Sequence, residues 1–420
     1  MRRIPCGLLA PLLAPLLAPL LAGCSPVRFD QPGATMDDAA YTALFPTYAE
    51  FCALSQIKKK TGFGADIRGE IGGHSVFFLQ GACRAEGAGY PVLIPCANGG
   101  AGLSMNAHFR NASWVATPGR ALFFDGGLPP GAPVDRATYA AVQERAKRAG
   151  IYDGVAFWPD AFGPGTEGMA PEDARYEMSV GTDYGISLAR GRHCVRIPVS
   201  RAQMDTMITW LNAQNEPYRA GRAEFRWSVF TDNCIHLAHN ALAAAGLWAP
   251  WRTHRPLLVS VFDFPVPRNE FINMARRTNA KLPTLAELAD DAPAREALDR
   301  TGALTQRPGA LAVSVPPHRP NTVYDTDLKM IFYDEPNLGH YQEWSDALFA
   351  DPAELDLDAN LQAWEARLRA ARATLDATPL PSGGDQTPLA ALKNRYDAFL
   401  ADAASATARR RAELEDTHGL

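Results

Sequence analysis

The stretch "VFTDNCIHLAHNALAAAG", Val229 to Gly246, decides how the rest of the chain is read. Just ahead of it Phe225, Trp227 and Val229 alternate as on one face of a strand. Thr231, Asp232 and Asn233 break that pattern. Cys234, Leu237, Ala238, Ala241, Leu242 and Ala245 then recur at helical intervals, and Gly246 supplies a stop. Asn233 predicts an N-cap, which puts Cys234 in the first turn. Unpaired amides and the helix dipole favour an anion there. A thiol so placed reacts as a thiolate, and the same amides can hold an oxyanion. Cys234 therefore has three readings: a small buried hydrophobe, half of a disulfide, or a nucleophile.

The compartment limits the choice. The chain opens "MRRIPCGLLAPLLAPLLAPLLAGCSP", a short basic start followed by a Leu/Ala run broken by Pro11, Pro15 and Pro19. That run is too short and proline-rich for a spanning helix and reads as an export leader over residues 1–23. Leu21-Ala22-Gly23-Cys24 resembles the bacterial lipobox. The resemblance implies that Cys24 is acylated and anchors the mature chain in a lipid bilayer. Ser25 after it resembles the sorting pattern for the outer membrane, facing the periplasm. No other apolar run approaches spanning length.

The 420 residues are 47% hydrophobic and 21% charged, a globular composition long enough for two domains. Net charge is -5, and the dense basic runs are Lys58-Lys59-Lys60 and Arg409-Arg410-Arg411, so nucleic acid is not an expected partner. Of seven cysteines, Cys6 leaves with the leader and Cys24 carries lipid. Five remain, and an odd number in an exported chain leaves one thiol unless chains cross-link. One arrangement among several ties Cys83 to Cys96 across the hairpin "GACRAEGAGYPVLIPC" and Cys52 to Cys194 over a longer loop. Cys234 is then the remaining thiol.

A nucleophilic cysteine needs a base. His236 and His239 lie about 200° and 140° around the helix from Cys234. They are expected to be partly exposed, and a metal pair with Cys234 is geometrically poor. Upstream, "GEIGGHSVFFLQGAC" places His74, Val76, Phe78 and Gln80 in alternation with Ser75, Phe77 and Leu79, as on a buried strand. A lone histidine there is more often a core residue than a catalyst.

Taken in order, "GGHSVFFL", then "HCVRIPVSRAQMDTMITWL" with a Ser200–Gln203 capping box, then "RAEFRWSVF" running into "DNCIHLAHNAL", the chain resembles the circularly permuted branch of the papain-like NlpC-type superfamily. That branch includes lecithin:retinol acyltransferase-like proteins. The resemblance spans about Gly69 to Gly246. It implies an α+β fold with an antiparallel sheet packed on the cysteine helix, Cys234 as nucleophile and His74 as general base. A third, orienting residue is sought among Glu86, Asn98, Asn106 and His108. Asn98 is favoured, although an Asn-Gly turn is its simpler reading. Tyr184 lines the cleft or packs in the core.

After Gly246, Trp248 and Trp251 are expected in the core. From about Pro267 the chain turns to Ala, Asp, Glu and Arg. Leu361, Trp364, Leu368 and Leu375 have helical spacing, as do Leu389, Leu392, Tyr396, Phe399 and Leu400, which predicts an antiparallel helix pair. Arg409 to Arg411 are expected to protrude, and His318 has no evident partner. The expected organisation is a leader over 1–23, a permuted papain-like domain over 24–266, and a mainly helical region over 267–420. No phosphate-binding glycine loop, zinc spacing or paired carboxylates stand out, so neither metal nor cofactor is expected. The function expected is an envelope-tethered cysteine hydrolase or acyltransferase acting on an amide, ester or thioester. The alternative is an inert lipoprotein that binds or scaffolds.

Overall fold

The computed structural model describes residues 24–27, 38–63, 73–162, 165–228, 232–253, 266–326, 330–333, 340–379 and 387–418. The fold is α+β. The strands are β1 (Cys24–Val27), β2 (Tyr48–Leu54), β3 (His74–Arg84), β4 (Leu93–Ser104), β5 (Val115–Pro118), β6 (Arg192–Pro198), β7 (Leu311–Val315) and β8 (Met330–Tyr333). The helices before the cysteine are α1 (Asp38–Leu44), α2 (Arg120–Asp125), α3 (Arg136–Arg148), α4 (Pro171–Ser179), α5 (Ile186–Ala189) and α6 (Arg201–Arg219). Then come α7 (Cys234–Ala244), α8 (Pro267–Thr278), α9 (Leu285–Asp290), α10 (Ala292–Thr301), α11 (Tyr341–Ala350) and α12 (Pro352–Leu355). Two long helices close the chain, α13 (Leu357–Ala377) and α14 (Thr387–His418).

Six strands form one antiparallel sheet in the order β5-β4-β3-β2-β6-β7. Its two faces separate by residue parity, because neighbouring strand residues point to opposite sides. Phe51, Ala53, Phe77, Leu79, Val195 and Ile197 pack with Met204, Met207 and Leu211 of α6, Leu237, Ala238 and Ala241 of α7, and Phe271 of α8. Cys52, Leu54, Val76, Phe78 and Cys194 pack on the other face with Tyr41, Phe45, Phe123, Phe124 and Leu361. Helices cover both faces, so the central strands read as nearly continuous apolar runs. The glycine-rich end of β4 answers to the same packing: a Cβ at Gly102 would sit 2.0 Å from the Phe123 ring.

The second face contains one buried charge network. Glu50 of β2 accepts from Arg120 Nη2 at 3.2 Å and from Arg196 Nε at 3.2 Å. Asp38 of α1 also pairs with both arginines. Burial alone would raise the Glu50 carboxyl, but the two guanidiniums outweigh it and its pKa falls below the ordinary value. The disulfides Cys52–Cys194 and Cys83–Cys96 are both present. The first joins residues in register on β2 and β6, and the second ties the β3–β4 hairpin.

Several sequence expectations require correction. "RAEFRWSVF" is no ladder strand within the described residues: Ser228 makes an isolated bridge to Asp232, and Phe225 N donates to Arg110 O. Its alternation reflects Phe225 turned into the core and Trp227 left 37% exposed, without strand partners. The unit 24–266 does not hold the whole sheet, since β7 adds an edge strand from beyond it. The helix pair α13–α14 is antiparallel as expected, with Arg372 pairing Asp397 and Arg411 pairing Asp358 and Glu365. Those last pairs, with Arg410 lying over the Phe45 ring, show that the basic run does not simply protrude. The expected leader, residues 1–23, lies outside the described residues. Cys24 begins β1, which pairs with β8. Among the described residues no helix is long and apolar enough to cross a membrane.

Candidate functional site

Helix α7 begins as its sequence dictates. Asn233 Oδ1 accepts from the amides of Ile235 at 2.9 Å and His236 at 3.3 Å, and Asn233 N donates back to His236 Nδ1. This is a capping box with histidine in the reciprocal position. It has a cost for the oxyanion expectation, because two first-turn amides are already committed to Asn233. Cys234, half-buried against the core, is outside both disulfides.

Two connections fix which end of the sheet the thiol occupies. At the helix end, Gln203 Nε2 donates to Ala245 O, and Gln203 stands just after β6, near the pairing of Pro198 with Tyr48 and of Tyr48 with Gln80. Nine residues before the helix, Phe225 N donates to the carbonyl of Arg110, which follows the opposite end of β4. A helix of this length spans about 16 Å, so Cys234 lies toward the His74 end of β3. His74 opens β3, in register with Leu54, and shares the parity of Val76 and Phe78. The face that α7 covers carries Ser75, Phe77 and Leu79 instead. Cys234 and His74 are thus brought to one end of the sheet but to opposite faces of it.

Asn98 does not belong with either. It is exposed on β4 beyond Gly100, the partner of Gln80, and the six residues from His74 to Gln80 place it about 20 Å away. Glu86 is exposed in the hairpin turn, farther off still, beyond the end of β3 at Arg84. Asn106 is buried just past the end of β4, at the level of His74, and its Oδ1 accepts from His108 N. Asp183 nearby is a buried carboxyl that accepts from Ser104 and Tyr152 at 2.7 Å each. Burial pushes Asp183 up to about 6 against those hydrogen bonds. Tyr184 is a core residue whose hydroxyl donates to Tyr176 O.

The helix histidines correct the sequence reading most clearly. Both are buried, His236 at 2% and His239 at 7% exposure. His239 Nδ1 lies 2.7 Å from Glu270 Oε1, Nε2 lies 3.0 Å from Ala249 O, and the rings of Trp248 and Trp251 flank it. Both ring nitrogens meet oxygens, so His239 and Glu270 form a buried hydrogen-bonded link from α7 to α8. They face away from the apolar stripe as expected, but α8 and the tryptophan turn cover them. Glu270 had no signal in the sequence, being one acid in an amphipathic helix. His193 is the histidine on the face that α7 covers. Burial, with Arg268 beside it, pulls His193 down to about 3, and it stacks between Phe271 and Phe349 as a neutral core ring. His318, without a partner in the sequence, meets Asp125 at 3.3 Å.

Metal-ligand types converge once among the described residues, at Glu50, Cys52 and Cys194. Those sulfurs are bonded to each other and the carboxylate to two guanidiniums, so the donors are spent. Comparison with family models, curated proteins and solved structures finds no match.

Proposed function

We propose that the chain is an envelope-tethered thiol hydrolase or acyltransferase with Cys234 as its nucleophile, built on a permuted papain-like domain and anchored through acylated Cys24. The observation that carries this reading is the state of Cys234: outside both disulfides, and set in the first turn of a capped, core-packed helix. Helix α7 packs on β3, the strand that His74 opens, and the histidine strand precedes the cysteine helix in the chain.

In the proposed chemistry the Cys234 thiolate adds to an acyl carbonyl. The leaving amine, alcohol or thiol departs with a proton from an imidazole, and water or another acceptor then cleaves the thioacyl bond. His74 serves as that imidazole by reaching around the end of the sheet, with Asn106 rather than Asn98 as its neighbour. Turnover of short acyl esters and thioesters tests the reading. Activity lost in Cys234→Ala supports it, whereas equal turnover by wild type and variant sinks it. The position of His74 on the other face favours a second reading, a domain of the same fold that binds without catalysis. Absence of turnover together with an ordinary Cys234 thiol selects that one.

A further inference from the structure

Helices α9, α13 and α14 line a cavity of about 160 Å3 to which α7 contributes no residue. We propose that it is a binding site for a small amphiphilic carboxylate of about six to eight carbons. The floor is apolar: Leu282, Leu285 and Leu375 are buried, and the Tyr396 ring closes it. The mouth is cationic, with Lys281 exposed and Arg367 half-buried. A dry apolar cavity of about 150 Å3 is enough to hold a six-membered hydrocarbon ring.

The polar groups around the cavity decide the class of ligand. Tyr396 donates its hydroxyl to Pro283 O at 2.6 Å, and Thr374 donates to Ala370 O at 2.9 Å. Glu354, the acid whose charge Arg367 feels, accepts from Asn279 Nδ2 at 2.6 Å instead. Among the described residues no carboxylate pairs with Arg367 or Lys281. Arg367 lies over the Trp364 ring at 5.2 Å, and its Nη1 is shielded from solvent without a hydrogen-bond partner. The hydroxyls are committed, and although Glu354 and Glu287 lie within electrostatic reach of Arg367 and Lys281, neither forms an ion pair with them, so the complement is an acceptor that carries negative charge. A guanidinium suits a carboxylate because its planar donors match both oxygens. One charged side and an apolar floor exclude polyanions and fit an acid with a hydrocarbon body.

Calorimetric titration of the purified protein with hexanoate and benzoate, beside hexanol and benzyl alcohol, tests this. The acids should bind at least about tenfold more tightly than the alcohols, as one charge-assisted contact implies. Arg367→Met should erase that difference and leave alcohol binding within about twofold. If Arg367→Met does not fold, Ala370→Glu at the exposed rim gives the same readout, since its carboxylate repels the acid. Equal binding of acid and alcohol, no binding of either, or acid binding unchanged in these variants overturns the proposal. None of these outcomes depends on Cys234.

Discussion

His74 shares the strand parity of Val76 and Phe78, whereas Cys234 packs with the core that covers the other face of the six-stranded sheet. Strand parity fixes the histidine and helix packing fixes the cysteine, so neither can be moved without rebuilding the core. A catalytic pair therefore has to close around the sheet end, where Gly73 adopts a positive φ of 78° immediately before His74. A side chain at Gly73 would also meet Leu54 O at 2.4 Å. Gly73→Ala is expected to displace the start of β3 and to change Cys234 reactivity, if His74 serves it. Unchanged alkylation kinetics in a folded Gly73→Ala protein would separate the two residues.

The buried carboxylate of Glu50, at the centre of the sheet, pairs with two guanidiniums. Glu50→Gln removes the buried charge between Arg120 and Arg196 and leaves them the half-exposed Asp38 as their common ionised partner. A loss of about 3–5 kcal/mol in urea unfolding is expected. The stabilisation from Glu50 has a defined pH sense. Its folded pKa lies below the ordinary value, so the contribution is complete above that value and disappears as pH falls through the folded pKa. A Glu50→Gln protein should show a flatter acid limb than wild type; matching acid limbs would contradict the role assigned to Glu50.

Asp183 has the opposite sign. Its folded pKa of about 6 exceeds the ordinary 3.8, so the folded state holds the proton more tightly than the unfolded chain. Stability is then highest below the ordinary pKa and falls as pH rises toward 6, by up to about 3 kcal/mol. Asp183→Asn should remove that decline, measured as unfolding free energy at pH 4.5 and 7.5. An undiminished decline in the variant would show that another group titrates.

The two disulfides differ in the loops they close. Cys83 and Cys96 are separated by 13 residues, and Cys52 and Cys194 by 142. Loop-closure entropy assigns them about 3 and about 5 kcal/mol respectively. Paired Ser substitutions should destabilise in that order in denaturant titrations, and the reverse order would point to native-state strain instead.

Much of the fold was legible because its signals are local. The Ser200–Gln203 and Asn233 caps, the buried run of β3, the Cys83–Cys96 hairpin and the α13–α14 pair all follow from spacing over a few residues. The site was legible only in part, for two physical reasons. Periodicity gives a residue's parity but not which face a distant helix will cover, so His74 fell on the far side. Burial of a helix's polar side depends on its neighbour, so the Glu270 partner of His239 and the covering role of α8 left no local trace. Asn98 was drawn to the site because it closes a buried-looking strand in the sequence, while its distance from His74 depends on hairpin register.

The most direct test is the pH dependence of iodoacetamide alkylation at Cys234, in wild type and in His74→Ala. The account predicts fast alkylation that persists well below the ordinary thiol pKa of about 8.5, and a shift toward that value in His74→Ala. Slow alkylation following an ordinary thiol curve, identical in both proteins, would contradict it and favour a binding role without catalysis.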